Sequence, residues 1–320
     1  MDSTDRDLHA NLSLSRRIRF FFSRFRRLPI VFWAVLATIF GIADFLTWSV
    51  LSDISPSERV RWTLGIVFLA LAVTVFTVAR TPTTDEKMAR ARMLHRAARE
   101  AYEKKLYAET KKLLQQAVQY DPERVDSWGL LGRTLIRLGE LQESILALTR
   151  ALSLTQVNRA LYLHCRGQAY ALLGQYGRAL DDFEESLKEE PNRTNTLRWR
   201  ALTWAYLGRY DNAMQDIEAA LKLKPLYICG HATKAVILHR YGQIEKAQNE
   251  IKRCSALQPK DADDFYCLAQ AYNQIGDRDQ TLLMLRLAFE RDPKYRVRLT
   301  LDPLFENLAA TDSDFRDAVV

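Results

Sequence analysis

The chain has 320 residues, 48% hydrophobic and 27% charged, a globular composition with room for two or three ordinary domains. Its net charge of +7 would point to nucleic acid, but residues 1–105 hold 17 basic and 10 acidic residues, whereas the remainder holds 29 of each. The excess therefore lies beside two apolar blocks, and nothing after residue 105 supplies a general field for a phosphate backbone, so no nucleic acid partner is expected.

Residues 1–28 form a basic segment in which Arg16–Arg27 alternates arginine with phenylalanine. That pattern suits an interfacial stretch on anionic lipid, or simple flanking charge. Residues 29–51 follow, with Asp44 as their one charge, and after a short loop at 52–61 come residues 62–79 with none. At about 1.5 Å per residue each block crosses or nearly crosses a hydrocarbon core. Neither shows the polar face of a soluble helix. Trp33 lies near one end of the first block, and Trp48 and Trp62 near the opposite face, where indole rings favour the interface. Asp44 is costly inside a span and is a candidate functional or helix-pairing group. A cleaved signal peptide fits less well, because a second span follows at once. The arginines before the first block and the Lys/Arg residues after the second place both termini on the cytoplasmic side.

A linker is expected over 80–90, and helical patterning continues from there. Gly139, Gly174, Gly208, Gly242 and Gly276 recur at intervals of 35, 34, 34 and 34 residues, and Pro191, Pro225, Pro259 and Pro293 each follow a glycine by 17. Lys105 takes the glycine position of an earlier copy that ends near Pro122. Glycine permits a tight bend between antiparallel helices, and proline stops the second. Small residues (Ala179, Ala213, Ala247, Ser186, Ala220, Ala288) let the helices approach. Large ones fill the gaps: Tyr170 with Phe183, Trp204 with Ile217, Tyr272 with Leu285. A single hairpin cannot bury its apolar face, so the copies must stack.

Trp128, Leu131 and Gly132 in one copy, and Gly167, Tyr170, Ala179, Phe183 and Pro191 in the next, resemble the tetratricopeptide repeat consensus. Six units are expected: 91–124, 125–158, 160–193, 194–227, 228–261 and 262–295. The expected fold is all-α, a two-helix transmembrane hairpin followed by a right-handed α-solenoid. Residues 296–320 are expected to be a C-terminal cap. The resemblance implies a concave groove lined by the first helix of each unit, placing Arg99, Arg133, His164, Gln168, Arg198, Tyr266, Gln270 and Asn273 on the inner surface. Such a groove suits an extended or acidic peptide. The basic pattern by which some relatives clamp a chaperone carboxylate is not matched, since Leu130 falls at one of its positions.

The four cysteines form no CxxC pair and have no histidine at zinc spacing, so no metal and no cofactor are expected. Acidic pairs such as Asp181–Asp182 and Glu184–Glu185 are expected to be solvated. His164 and Cys165 are adjacent on a helix and point apart, which is poor geometry for a nucleophile and its base. No catalytic motif is present, and an enzyme is not expected. The sequence thus reads as a membrane-anchored scaffold or adaptor whose partners are protein or peptide segments, the lipid bilayer and other membrane subunits. The alternative is a fixed structural subunit of a larger membrane complex.

Overall fold

A computed structural model describes residues 83–306, together with Ser55, Val60, Gly65, Phe68 and Leu69. The chain divides into two compact units, residues 1–86 and 87–320. In the first, Val60, Gly65, Phe68 and Leu69 are helical. The remainder of the expected hairpin, including Trp33, Asp44, Trp48 and Trp62, lies outside the described residues, as do 307–320 of the expected cap. Among the described residues no helix is long and apolar enough to cross a membrane.

From Thr84 onward the described residues form thirteen α-helices and no strand. Twelve fall in six consecutive pairs: α1 (Thr84–Glu103) with α2 (Tyr107–Tyr120), α3 (Val125–Leu138) with α4 (Leu141–Leu154), α5 (Arg159–Leu172) with α6 (Tyr176–Glu189), α7 (Thr194–Tyr206) with α8 (Tyr210–Leu223), α9 (Ile228–Arg240) with α10 (Ile244–Ala256), and α11 (Ala262–Gln274) with α12 (Arg278–Arg291). A short α13 (Tyr295–Leu301) and a 3-10 turn at Pro303–Phe305 follow. The fold is an all-α solenoid of the tetratricopeptide kind.

The first helix begins inside the stretch expected to be a linker. Thr83 Oγ1 accepts from the Glu86 N–H at 3.2 Å while Glu86 Oε2 accepts from the Thr83 N–H at 2.8 Å. This reciprocal pair satisfies two orphan donors at the helix start, and the polar composition had hidden it.

All six hairpin turns share one bond. The N–H of Leu106, Glu140, Gln175, Arg209, Gln243 and Asp277 each reaches back five residues to a carbonyl of the preceding helix, at 2.8 to 3.1 Å. That bond forces the residue before it into left-handed backbone, φ +76 at Gly139 and φ +72 at Gly208. Lys105, standing where the other copies have glycine, adopts φ +60. The 17-residue spacing then puts each proline just past the second helix, where it cannot continue the ladder.

Within pairs the helices touch closely. A Cβ on Gly167 would lie 2.7 Å from the Phe183 ring, which is fully buried. Ala179, Ala213, Ala220 and Ala288 are also fully buried, and Ser186 Oγ donates to the Ala160 carbonyl at 2.8 Å. Burying a side chain the size of Phe183 contributes roughly 1.5–3 kcal/mol.

Two pairs also hold a bidentate ion pair. Arg166 grips Asp182 at 2.9 and 2.7 Å, and one repeat later Arg200 grips Asp216 at 2.8 and 2.7 Å. Asp182 is therefore not solvated as expected; it is buried between helices because Arg166, sixteen residues earlier, answers its charge. Asp181, Glu184 and Glu185 are exposed as expected, and Glu185 pairs with Arg159 at that surface at 2.5 Å.

In the described part of the segment expected to cap the array, the 3-10 turn packs against α11 and α13 against α12, both of the last pair, and α13 also reaches α3. A Cβ on Gly139 would lie 2.6 Å from Val297. Leu299, Leu304 and Phe305 are buried, so apolar surface holds the segment on these helices. The first and sixth pairs also meet. Lys105 Nζ donates to the Arg291 carbonyl at 2.6 Å, and the Tyr107 hydroxyl donates to Asp292 Oδ2 at 2.9 Å.

Candidate functional site

The first helices of the pairs converge on a cavity of about 640 Å³. Its wall carries Arg133 and Arg137 from α3, His164 and Gln168 from α5, Arg198 and Trp199 from α7, Asp263 from α11 and Arg298 from α13. In total seven Lys/Arg and four Asp residues line it.

Four of the expected groove residues, Arg133, His164, Gln168 and Arg198, share this cavity. Arg198 is buried, its Nε donating to the Tyr227 hydroxyl at 3.0 Å, which in turn donates to Asn195 at 2.6 Å. His164 Nδ1 lies 3.0 Å from the Thr196 hydroxyl. The Arg133 guanidinium sits over the Tyr102 ring at 5.3 Å.

The other four lie elsewhere. Arg99 is exposed on α1 beside Glu103, 3.5 Å away, and does not reach the cavity wall. Tyr266, Gln270 and Asn273 hold the chain's own C-terminal segment. The Tyr266 hydroxyl and Gln270 Nε2 donate to Asp302 Oδ2 at 2.8 and 2.6 Å, and Asn273 Nδ2 donates to the Leu304 carbonyl at 2.5 Å. These three positions behave as segment-binding residues toward Asp302–Leu304.

Several cavity residues were not singled out from sequence. Arg137 follows Arg133 by four residues on one helix face, a spacing that could have flagged it. Arg193 sits in the turn before α7, and Arg298 lies in the stretch read as a cap, so neither carried a signal in the repeat register.

Two titrating groups report the field. Burial, then the charges of Arg193, Arg198 and Arg133, push His164 down to about 3, so it stays neutral. Burial would raise Asp263, but Arg298 and Arg137 outweigh it and hold that carboxyl at about 2. The Tyr295 hydroxyl donates to Asp263 Oδ1, and Arg298 reaches the same oxygen at 3.2 Å. All four cysteines are free, buried thiols. Among the described residues no cluster of three His, Cys, Asp or Glu is placed to hold a metal ion.

Family descriptions match three stretches of the chain. A tetratricopeptide repeat family matches residues 101–164, another matches 160–193, and the Psidin N-terminal TPR repeats region matches 199–305. The chain carries tetratricopeptide repeats. No curated protein matches it in sequence. Among solved structures, a tetratricopeptide repeat protein from Parabacteroides merdae is 21% identical, over 72% of this chain and 92% of its own, with a TM-score of 0.49. MamA from Desulfovibrio magneticus RS-1 is 16% identical over 52% of this chain and 94% of its own, with a TM-score of 0.47. YrrB, described as a TPR protein with an unusual peptide-binding site, is 20% identical over 58% and 96%, with a TM-score of 0.39. The three matches cover residues 101–193 and 199–305, from the end of α1 onward, and the tetratricopeptide reading rests on them.

Proposed function

We propose that this chain is a membrane-anchored interaction scaffold, a binding protein rather than an enzyme, whose tetratricopeptide array takes a protein or peptide segment on its inner face. The observation that carries this reading is the convergence of Arg133, His164, Gln168 and Arg198, from three successive first helices, on one cavity. The contacts of Tyr266, Gln270 and Asn273 with Asp302–Leu304 support it, because side chains of this register there hold a stretch of chain entering a 3-10 turn.

For the anchor, support comes from the apolar blocks 29–51 and 62–79 and their basic flanks, with both termini and the array on the cytoplasmic side. Phe68 and Leu69 are helical yet 68% exposed, as lipid-facing residues would be in the absence of lipid. After alkaline carbonate washing, the full chain should stay with the membrane pellet; release into the supernatant overturns the anchor.

Mild detergent extraction followed by pull-down should recover a soluble protein partner with the wild-type chain and lose it with Arg133→Glu. Equal recovery with the variant, or recovery of nothing by the wild type, removes the scaffold reading.

A fixed structural subunit is the second reading. It is favoured by exposed apolar side chains on the array, Leu146 at 71% and Leu226 at 73%, which neighbours in a permanent assembly would cover. Native-size separation decides: one stoichiometric complex supports the subunit, and a free or variable species supports the scaffold.

A further inference from the structure

The cavity holds more positive charge than its walls answer. Of Arg133, Arg137, Arg198 and Arg298, only Arg298 reaches a carboxylate, Asp263 at 3.2 Å. Arg137 Nη1 donates to the Tyr295 hydroxyl at 3.2 Å, Arg198 has the Tyr227 hydroxyl, and Arg133 has the face of Tyr102. Phenols are uncharged, and the carboxylate whose charge reaches Arg137 and Arg198, that of Asp263, already pairs with Arg298.

Arg198 is 4% exposed, and its Nη1 has no hydrogen-bond partner. Arg298 Nε and Nη2 and Arg193 Nε are buried and unpartnered as well. Buried donors are nearly always satisfied, and a buried cation without a counter-charge is among the costliest arrangements in a protein. Arg193 has Glu190 at 2.5 Å and Arg298 has Asp263, whereas Arg198 has no carboxylate in reach among the described residues; all three line one cavity, whose volume lies within the range that holds a drug-sized ligand. The positive field agrees with the lowered Asp263 carboxyl, held down by Arg298, Arg137 and Arg198, and adds to the burial that lowers His164.

We infer that the cavity is a binding site for a small organic anion carrying phosphate or paired carboxylate groups, with Arg133, Arg137, Arg198 and Arg298 as its cationic wall. The guanidinium fork matches either oxyanion with two parallel bonds. The flanking Trp199 and Tyr227 would exclude water from those bonds, strengthening them. The inference rests on the inner face being a binding surface, as proposed above, and names a ligand for it.

The test uses the full chain in mild detergent, with inorganic pyrophosphate and citrate as probes and chloride at matched ionic strength as the blank. Either probe at millimolar concentration is expected to raise the unfolding midpoint by about 2 °C or more and to give a saturable calorimetric isotherm. Arg198→Met should weaken that binding by about tenfold or more, as expected for loss of a charge-assisted contact. Lys188→Met, exposed on α6, should bind as wild type does. If Arg198→Met fails to fold, Arg133→Gln at the cavity wall takes its place. Pyrophosphate binding more tightly than citrate identifies phosphate chemistry, and the reverse order identifies carboxylates. No stabilisation beyond the chloride blank, or equal binding by wild type and the arginine variants, overturns the inference. Anion binding without any pulled-down partner would sink the scaffold reading alone, and a partner recovered without anion binding would sink this inference alone.

Discussion

At Gly208 the backbone is left-handed, φ +72, and nothing lies within 4 Å of where a Cβ would go. Gly177, in the first turn of α6, also faces open space but has ordinary helical backbone. The two sites therefore separate conformation from crowding. Gly208→Ala should destabilise by about 1–2 kcal/mol, whereas Gly177→Ala should stabilise by up to about 1 kcal/mol. Denaturant midpoints read both signs. His164 supplies a second test at this scale. Its folded value near 3 lies below its ordinary 6.5, so the unfolded chain takes the proton first on acidification. The stability it contributes is complete above about pH 6.5 and is lost as pH falls toward 3. His231 runs the other way: its hydrogen bond with Glu250 raises it, so its contribution is present below 6.5 and lost as pH rises through the raised value. Between pH 7 and 4.5 the His164 loss should reach roughly 2–3 kcal/mol. Urea midpoints at the two pH values should show a smaller drop for His164→Gln than for wild type; an equal drop would rule His164 out as the cause.

Among the elements, the helix pairs were the most legible from sequence. Glycine and proline spacing marks turns and stops because both residues act locally, through φ and a missing N–H. The partners of charged residues were less legible. Asp182 looked like one of several outer-face acids, and only the crossing of α5 and α6 reveals that Arg166 reaches it. Tyr266, Gln270 and Asn273 fell on the inner face by register, but what they hold comes from 31 or more residues further along, in a segment outside the repeats. The C-terminal segment is the element most open to test. Phe305 is 1% exposed, its ring 5.7 Å from that of Tyr266. Phe305→Ala should cost about 3–5 kcal/mol in urea unfolding, as expected for an aromatic removed from a packed core. A loss below about 1 kcal/mol would show the segment to be loosely held.

For the repeat unit as a whole, the decisive contacts join residues about 185 apart. Tyr107 and Asp292 are both buried, and the hydroxyl between them joins the start of α2 to the residue after α12, beside the more exposed Lys105–Arg291 bond. Tyr107→Phe leaves Asp292 Oδ2 without that donor and should cost about 1–3 kcal/mol. Amide hydrogen exchange should then quicken at both ends of the array together, in α2 and in residues 291–295. Acceleration at one end alone would mean the link carries no coupling. The cavity was legible in part: Arg133, His164, Gln168 and Arg198 followed from register, whereas Arg193 and Arg298 enter its wall from outside the first helices.

That link between Tyr107 and Asp292 changes how the array can vary. An open stack of hairpins tolerates gain or loss of a copy, since each unit answers only to its neighbours. Here the first copy must arrive opposite the sixth. A duplicated or deleted copy would carry Asp292 away from Tyr107 by a whole unit and empty the arginine-lined interior. Side-chain changes, by contrast, leave that meeting of the two ends in place.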